Sequence, residues 1–231
     1  MATYNDQLAD YLAGIAAVGA AHGEQLGERC GGNAQPLVQW IHWYRMRDVE
    51  GEALELLTGA EASIREAAGC VAIGLGRAAI TAIRTQLDLL IGYTYFREHP
   101  AEWRRVCDTG EGFKLKAELL RYHADYTPGF TQRRALLLQQ NAPSLDDVYA
   151  TLSAHVHGQS KYSVPEAKEL KDLVWSERRL REITELQHRS AQAASFFFLA
   201  IHGREWRDIP SNFVSDARGI LTTAQEPIFF E

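Results

Sequence analysis

Residues 60–97 read AEASIREAAGCVAIGLGRAAITAIRTQLDLLIGYTYFR. Ile64, Ala68, Val71, Leu75, Ala79, Ile83, Leu87 and Ile91 recur at steps of three and four, the period of one apolar side of a helix. The spacing predicts a single long helix from about Ala60 to Arg97. His99-Pro100 ends it, because proline restricts the residue before it and has no N–H to donate. Arg77, Arg84 and Asp88 interrupt the apolar run. Charges in mid-span are costly in lipid, so the stretch is expected to be a core helix and not a membrane span.

The same period extends in both directions. Leu8, Leu12, Ile15 and Val18 mark a first helix that ends at Gly31-Gly32-Asn33. A second starts near Pro36 with Leu37, Trp40, Ile41 and Tyr44. Beyond the long helix come Lys114 to Tyr126, closed by Pro128-Gly129, and a shorter piece from Gln132 to Gln140. Ser144-Leu145-Asp146-Asp147 is an N-cap followed by acids in the first turn. Its helix carries Val148, Leu152 and Val156, with Gly158 suited to close it. Ser163 and Pro165 open a further long helix through Leu170, Leu173, Leu180, Ile183 and Leu186 to about His202. A last one runs from Ser211 to about Thr223, ahead of the apolar tail Pro227-Ile228-Phe229-Phe230. No alternating strand pattern and no internal repeat stands out. The expectation is an all-α fold: one domain, a bundle of six or seven helices, with residues 1–58 as a subsidiary layer.

Composition bounds the function. The 231 residues are 46% hydrophobic and 23% charged, with 24 Lys and Arg against 30 Asp and Glu, a net charge of −6. That excludes disorder and a disulfide scaffold and argues against broad affinity for nucleic acid or anionic membrane. An RNA-directed role would need a local positive cleft, for which Arg77 and Arg84 are the first residues. Cys30, Cys70 and Cys107 are sparse, odd in number and outside any zinc-ligand spacing, which suits a reducing, cytoplasmic setting. The N-terminus lacks a basic region ahead of its apolar run, so a signal peptide is not expected. No cofactor fingerprint is present, and neither a cofactor nor a metal is expected.

Three constellations could carry chemistry. Arg77, Thr81, Arg84, Asp88 and Tyr95 form a polar stripe on the long helix. At about 100° per residue, Arg77, Arg84 and Asp88 fall within about 40° of one another. The stripe could bind an anion in a cleft, or be a solvent face or a pair between helices. The second is Ser153-Ala154-His155-Val156-His157-Gly158. The two histidines point about 200° apart and cannot chelate one metal. Ser153 and His157 are four residues apart, share a face, and could act as nucleophile and base; a histidine in the last turn is also favoured by the helix dipole alone. The third is the Arg181-to-His188 pair, whose spacing is that of an Arg-x(4–6)-His ribonuclease signature. With nineteen arginines and eight histidines, roughly two such pairs are expected by chance, so the spacing carries no weight. A mildly basic stretch, Arg104-Arg105, Lys114, Lys116, Arg121 and Arg133-Arg134, contains Trp103, Tyr122 and Tyr126. It could stack single-stranded bases or be a solvated face.

Two segments together resemble a known group. Arg84-Thr85-Gln86-Leu87-Asp88 has the form R-x-x-L-E/D, and Tyr149-Ala150-Thr151-Leu152-Ser153-Ala154-His155-Val156-His157-Gly158 the form Y-x-x-L-S-x-x-V-H-G. The region from Arg77 to Gly158 resembles bacterial HEPN-like helical bundles of toxin–antitoxin and anti-phage systems. The resemblance implies a helical bundle, frequent dimerisation, and in some members metal-independent RNA cleavage by an arginine and a histidine. Neither His155 nor His157 has an arginine four to six residues before it, so that arginine would have to come from another helix, with Arg84 the candidate.

The expected site is therefore Arg84, Asp88, Ser153, His155 and His157, polar groups on two otherwise apolar helices that could converge in one cleft. The expected partners are RNA and a second copy or another protein. The alternative is a non-enzymatic interaction module whose contact surfaces are Phe196 to Phe198 and the apolar tail.

Overall fold

The structure is a computed structural model and describes residues 3–159 and 166–231. The described residues contain helices and no strand. The helices are α1 (Tyr4–Val18), α2 (Glu24–Asn33), α3 (Gln35–Arg47), α4 (Leu54–Ala72), α5 (Gly76–Phe96), α6 (Pro100–Thr109), α7 (Lys116–Tyr126), α8 (Phe130–Gln139), α9 (Leu145–His157), α10 (Glu177–His202), α11 (Ser211–Ile220) and α12 (Gln225–Phe230). A π-helical turn, Gly19–Gly23, joins α1 to α2 without a break, so among the described residues there are eleven continuous helices. The all-α class holds; the bundle of six or seven does not. The chain forms two compact units. The first gathers Met1–Gln35, Ala62–Gln86 and Asp146–Ser190, and the second Pro36–Glu61, Leu87–Leu145 and Ala191–Glu231.

The helix expected over 60–97 is two helices. Gly74 adopts φ +85°, left-handed backbone that a side chain disfavours and glycine accepts. Around it the Leu75 N–H donates to the Cys70 carbonyl at 2.8 Å and the Gly74 N–H to the Val71 carbonyl at 3.1 Å, the two bonds of a Schellman stop. The apolar spacing runs straight across this break, which is why periodicity alone does not reveal it. A short helix, α6, follows His99 with Pro100 at its first position, where the missing N–H costs nothing. The expected helix opening at Ser163-Pro165 begins outside the described residues. Within them, Leu170–Leu173 is a 3₁₀ turn and α10 starts only at Glu177. The Asp172 carboxylate accepts from the backbone N–H groups of Lys168 and Glu169 at 2.9 and 3.0 Å, satisfying donors that a continuous helix would have used.

In the first unit, Leu26, Cys30, Val71, Ile80, Ile83, Leu152, Leu180 and Ile183 are buried. Small residues bring helices close. A Cβ on Gly23 would lie 2.8 Å from the Ala72 carbonyl oxygen, and one on Gly27 3.3 Å from the Ala72 methyl. A polar ladder crosses this core: Gln187 donates to Gln86 at 2.9 Å, and Gln86 donates to the Ser63 carbonyl at 3.2 Å.

The second unit is built on aromatics. Trp40 and Phe213 stack with centroids 4.7 Å apart, and Trp40, Tyr44, Tyr93, Phe198 and Phe229 are sealed from solvent. Phe197 is also buried, and Phe196 lines a shallow cleft of the same unit with Leu137 and Pro143. The surfaces assigned to an interaction module are thus largely interior to this unit: Phe197, Phe198 and the tail's Phe229 pack inward. The basic stretch is also mostly engaged. Arg133 is buried and donates to the carbonyls of Ala200 and Pro128, each at 2.7 Å. Arg104 pairs with Glu52 at 2.9 Å, Lys114 with Glu102 at 3.0 Å, and Trp103 lies in the core.

Candidate functional site

Two helices of the first unit carry the site. On α5, Arg77 and Arg84 are seven residues apart and therefore on one face. On α9, the apolar positions Val148 and Leu152 are buried, which leaves the last turn to present His155 and His157. Gly158, at φ +62°, ends that turn, and the Gln159 N–H donates to the Ala154 carbonyl at 3.0 Å, so the expected glycine cap is present.

The arginines meet this turn. Arg77 Nη2 donates to the Val156 carbonyl at 3.1 Å, placing a cation at the negative end of α9. Arg84 Nη1 lies 2.9 Å from His157 Nε2. Its Nη2 donates to the Tyr149 hydroxyl at 3.3 Å, and its Cζ lies 5.0 Å from the centre of the Tyr149 ring. A guanidinium only donates, so His157 Nε2 must be the acceptor in this contact. That makes the ring the neutral tautomer, with its proton on Nδ1. Arg84 is half-buried and His157 exposed, so the pair sits at an edge that solvent reaches.

His155 faces different neighbours. It is half-buried, and burial, followed by the charges of Arg77 and Arg179, holds its imidazole below the ordinary histidine range. Arg179, at the start of α10, lies over the Trp175 indole with Cζ 3.7 Å from the ring centre. Trp175 rests against the backbone at Gly76: a Cβ there would come within 2.2 Å of the indole. The Trp175 backbone N–H donates to the Gly74 carbonyl at 2.9 Å. The break between α4 and α5 thus seats an aromatic next to Arg77.

The remaining expected residues divide. Ser153 is half-buried on α9 and, among the described residues, makes no hydrogen bond to either histidine, so the nucleophile–base pairing is not formed. Asp88 lies one turn beyond Arg84 on α5, half-buried, in the segment assigned to the second unit. Tyr95 is buried in that unit and donates to Glu102 at 2.7 Å. Thr81 is exposed and bonds back to the Arg77 carbonyl at 3.2 Å. Arg181 pairs with Glu177 at 2.6 Å and donates to Gln25 at 3.3 Å, so its spacing to His188 reflects no contact. Tyr149, Trp175 and Arg179 were not assigned roles from the sequence. Of these, only Tyr149 had a signal, as the first residue of the Y-x-x-L-S motif.

Among the described residues no group of three or more His, Cys, Asp or Glu side chains could hold a metal ion, and no helix is long and apolar enough to cross a membrane. No model of a known protein family, no curated protein and no solved structure matches the chain. The HEPN-like resemblance therefore rests on the two short motifs alone.

Proposed function

We propose that the chain is a HEPN-like helical protein of a bacterial defence or toxin–antitoxin module that acts on RNA, with Arg84 and His157 as its working pair. The observation that carries this reading is the 2.9 Å contact between Arg84 Nη1 and His157 Nε2. An arginine and a histidine that the linear spacing keeps apart are brought together from two helices, at a solvent-facing edge.

The chemistry follows from the two groups. A phosphodiester oxygen is a charged, bidentate acceptor and outcompetes a neutral imidazole for a guanidinium. Binding of the phosphate by Arg84 would release the Nε2 lone pair of His157. That nitrogen could then take the proton of the adjacent 2′-hydroxyl as its oxygen attacks phosphorus and the P–O5′ bond breaks, the departing 5′-oxygen taking a proton from water to become the 5′-hydroxyl. Arg84 would stabilise the charge that develops on the phosphoryl oxygens. Tyr149, on the ring face of Arg84, is a positioning residue.

The test is incubation of purified protein with single-stranded RNA. Expected products carry a 2′,3′-cyclic phosphate and a 5′-hydroxyl, and a 2′-deoxy substitution at the cleaved position blocks the reaction. His157→Ala and Arg84→Gln should each lower the rate by about 10²–10⁴-fold. A wild-type protein that leaves RNA intact, or a His157→Ala variant as active as wild type, overturns the reading.

A further inference from the structure

The Arg84–His157 pair accounts for one side of the last turn of α9. The other side carries a second group of cations that this reaction does not use. Arg77 holds the Val156 carbonyl at 3.1 Å, and Arg179 lies flat on Trp175 at 3.7 Å. Both act on half-buried His155, whose protonation they oppose after burial has done so. Arg179 is exposed and forms no ion pair with any described residue. Two arginines brought by α5 and α10 to the turn that carries His155, in a chain of net charge −6, make a local positive locus against the global sign. Such a locus attracts an anion, and the attraction is strongest where low-dielectric side chains such as Trp175 line it.

We propose that Arg77, His155 and Arg179 form a second phosphate seat, for a phosphodiester neighbouring the one held by Arg84 in a single-stranded RNA. Two seats on opposite sides of one helical turn fit a flexible strand that passes over the end of α9. Arg179 supplies charge and, stacked on Trp175, a flat cationic plate at the edge of the seat. Gly76 is a positioning residue because only its missing side chain lets Trp175 lie where it does. This inference rests on the RNA-directed reading for the identity of the ligand, but not on cleavage.

The test measures binding of a 2′-O-methyl single-stranded oligonucleotide of about ten residues, which cannot be cleaved, by fluorescence anisotropy over a range of salt. Each phosphate neutralised on a single strand contributes about −0.7 to the slope of log K against log salt. Arg179→Gln should weaken binding by about three- to tenfold and flatten that slope by about 0.7. Arg179→Lys, which keeps the charge, should keep the slope. In parallel, NMR titration of the His155 ring should move upward on adding the oligonucleotide to wild type, and less in Arg179→Gln. If Arg179→Gln binds with unchanged affinity and slope, the second seat is overturned, whether or not the protein cleaves RNA. If the oligonucleotide binds with an Arg179-dependent slope while natural RNA stays intact, the seat stands and the ribonuclease reading falls. If wild type binds no oligonucleotide at all, both fall.

Discussion

Each unit holds a histidine whose Nε2 meets a side-chain donor at 2.9 Å, and the two could hardly be used more differently. In the second unit, Tyr44 Oη lies 2.9 Å from His202 Nε2, and Glu205 sits 3.6 Å from His202 Nδ1. Acid, imidazole and hydroxyl in a row is the arrangement of an activated nucleophile. Yet Tyr44 is sealed from solvent, His202 is nearly so, and burial drives the tyrosine well above and the histidine below their ordinary ranges. In the first unit, His157 meets Arg84 at an edge that solvent reaches. The comparison teaches that access separates a hydrogen-bond network closed to ligands from one that solvent reaches. The buried Tyr44–His202 bond holds a core in register; a contact at an edge that solvent reaches can be exchanged for a ligand.

The largest effect that would break this contrast is in activity. His157→Ala should abolish RNA cleavage by the margin given above while changing stability by less than about 0.5 kcal/mol, as surface substitutions do. His202→Ala should do the reverse, lowering the unfolding free energy by about 2–4 kcal/mol, because it removes a buried ring and strands the sealed Tyr44 hydroxyl without its partner, while Glu205 keeps Arg47 at 2.6 Å. Urea denaturation of both variants beside a cleavage assay checks it. A stable His202→Ala that has lost activity would put the chemistry in the wrong unit.

Acid stability sharpens the buried side of the contrast. His123 sits between Thr94 Oγ1, 2.8 Å from Nε2, and Thr127 Oγ1, 2.9 Å from Nδ1. Thr94 already donates its proton to the Ile91 carbonyl at 2.7 Å, so its oxygen accepts from Nε2–H and the ring is neutral. Burial pushes this imidazole down to about 3. The unfolded chain, with an ordinary histidine near 6.5, therefore binds the proton first, and stability is complete above that value and falls as pH drops. His123 alone should account for roughly 2 kcal/mol of loss between pH 6.5 and 4.5. Equilibrium unfolding at several pH values checks it: wild type should show the slope and His123→Gln a flatter one, whereas equal slopes would refute the neutral, buried ring.

Much of the fold was legible because helix ends are written in local chemistry. Gly31-Gly32-Asn33 closing α2, Pro128-Gly129 after α7, and Gly158 after α9 all act within a turn of themselves. The stop at Gly74 was not legible from periodicity, because Val71, Leu75 and Ala79 keep helical spacing across it; the Gly-Leu-Gly triplet was the conformational signal. The site was half legible. Motif spacing reads one helix at a time, and Arg84 and His157 are 73 residues apart on different helices. Their meeting depends on the register of α5 against α9, which no spacing encodes. Phe197, Phe198 and Phe229 read as a sticky surface because composition cannot tell an outward aromatic from an inward one.

Gly76 tests how the α4–α5 break serves the exposed side. A Cβ there would lie 2.2 and 2.5 Å from two indole carbons of Trp175, closer than any real contact, so Gly76→Ala must displace the ring. Its φ is not left-handed, so the cost is steric. The expected loss is about 1–3 kcal/mol, accompanied by a shift in tryptophan fluorescence. An unshifted spectrum at unchanged stability would show that Trp175 does not rest on this backbone.

The smallest effect separates positioning from structure within the pair itself. Tyr149→Phe removes the hydroxyl that accepts from Arg84 at 3.3 Å but keeps the ring 5.0 Å below its Cζ. The lost bond is long and at a half-exposed site, so stability should change by no more than about 0.5–1 kcal/mol. If Tyr149 merely packs, cleavage is unaffected. If it holds the guanidinium in line with His157, kcat should fall by about three- to tenfold with KM nearly constant, because a misaimed charge loses transition-state stabilisation while still binding the ground-state phosphate. Tyr149→Leu, which also removes the aromatic face, should fall further; a loss confined to KM in both variants would instead make Tyr149 part of the substrate surface and leave Arg84 aimed by α5 alone.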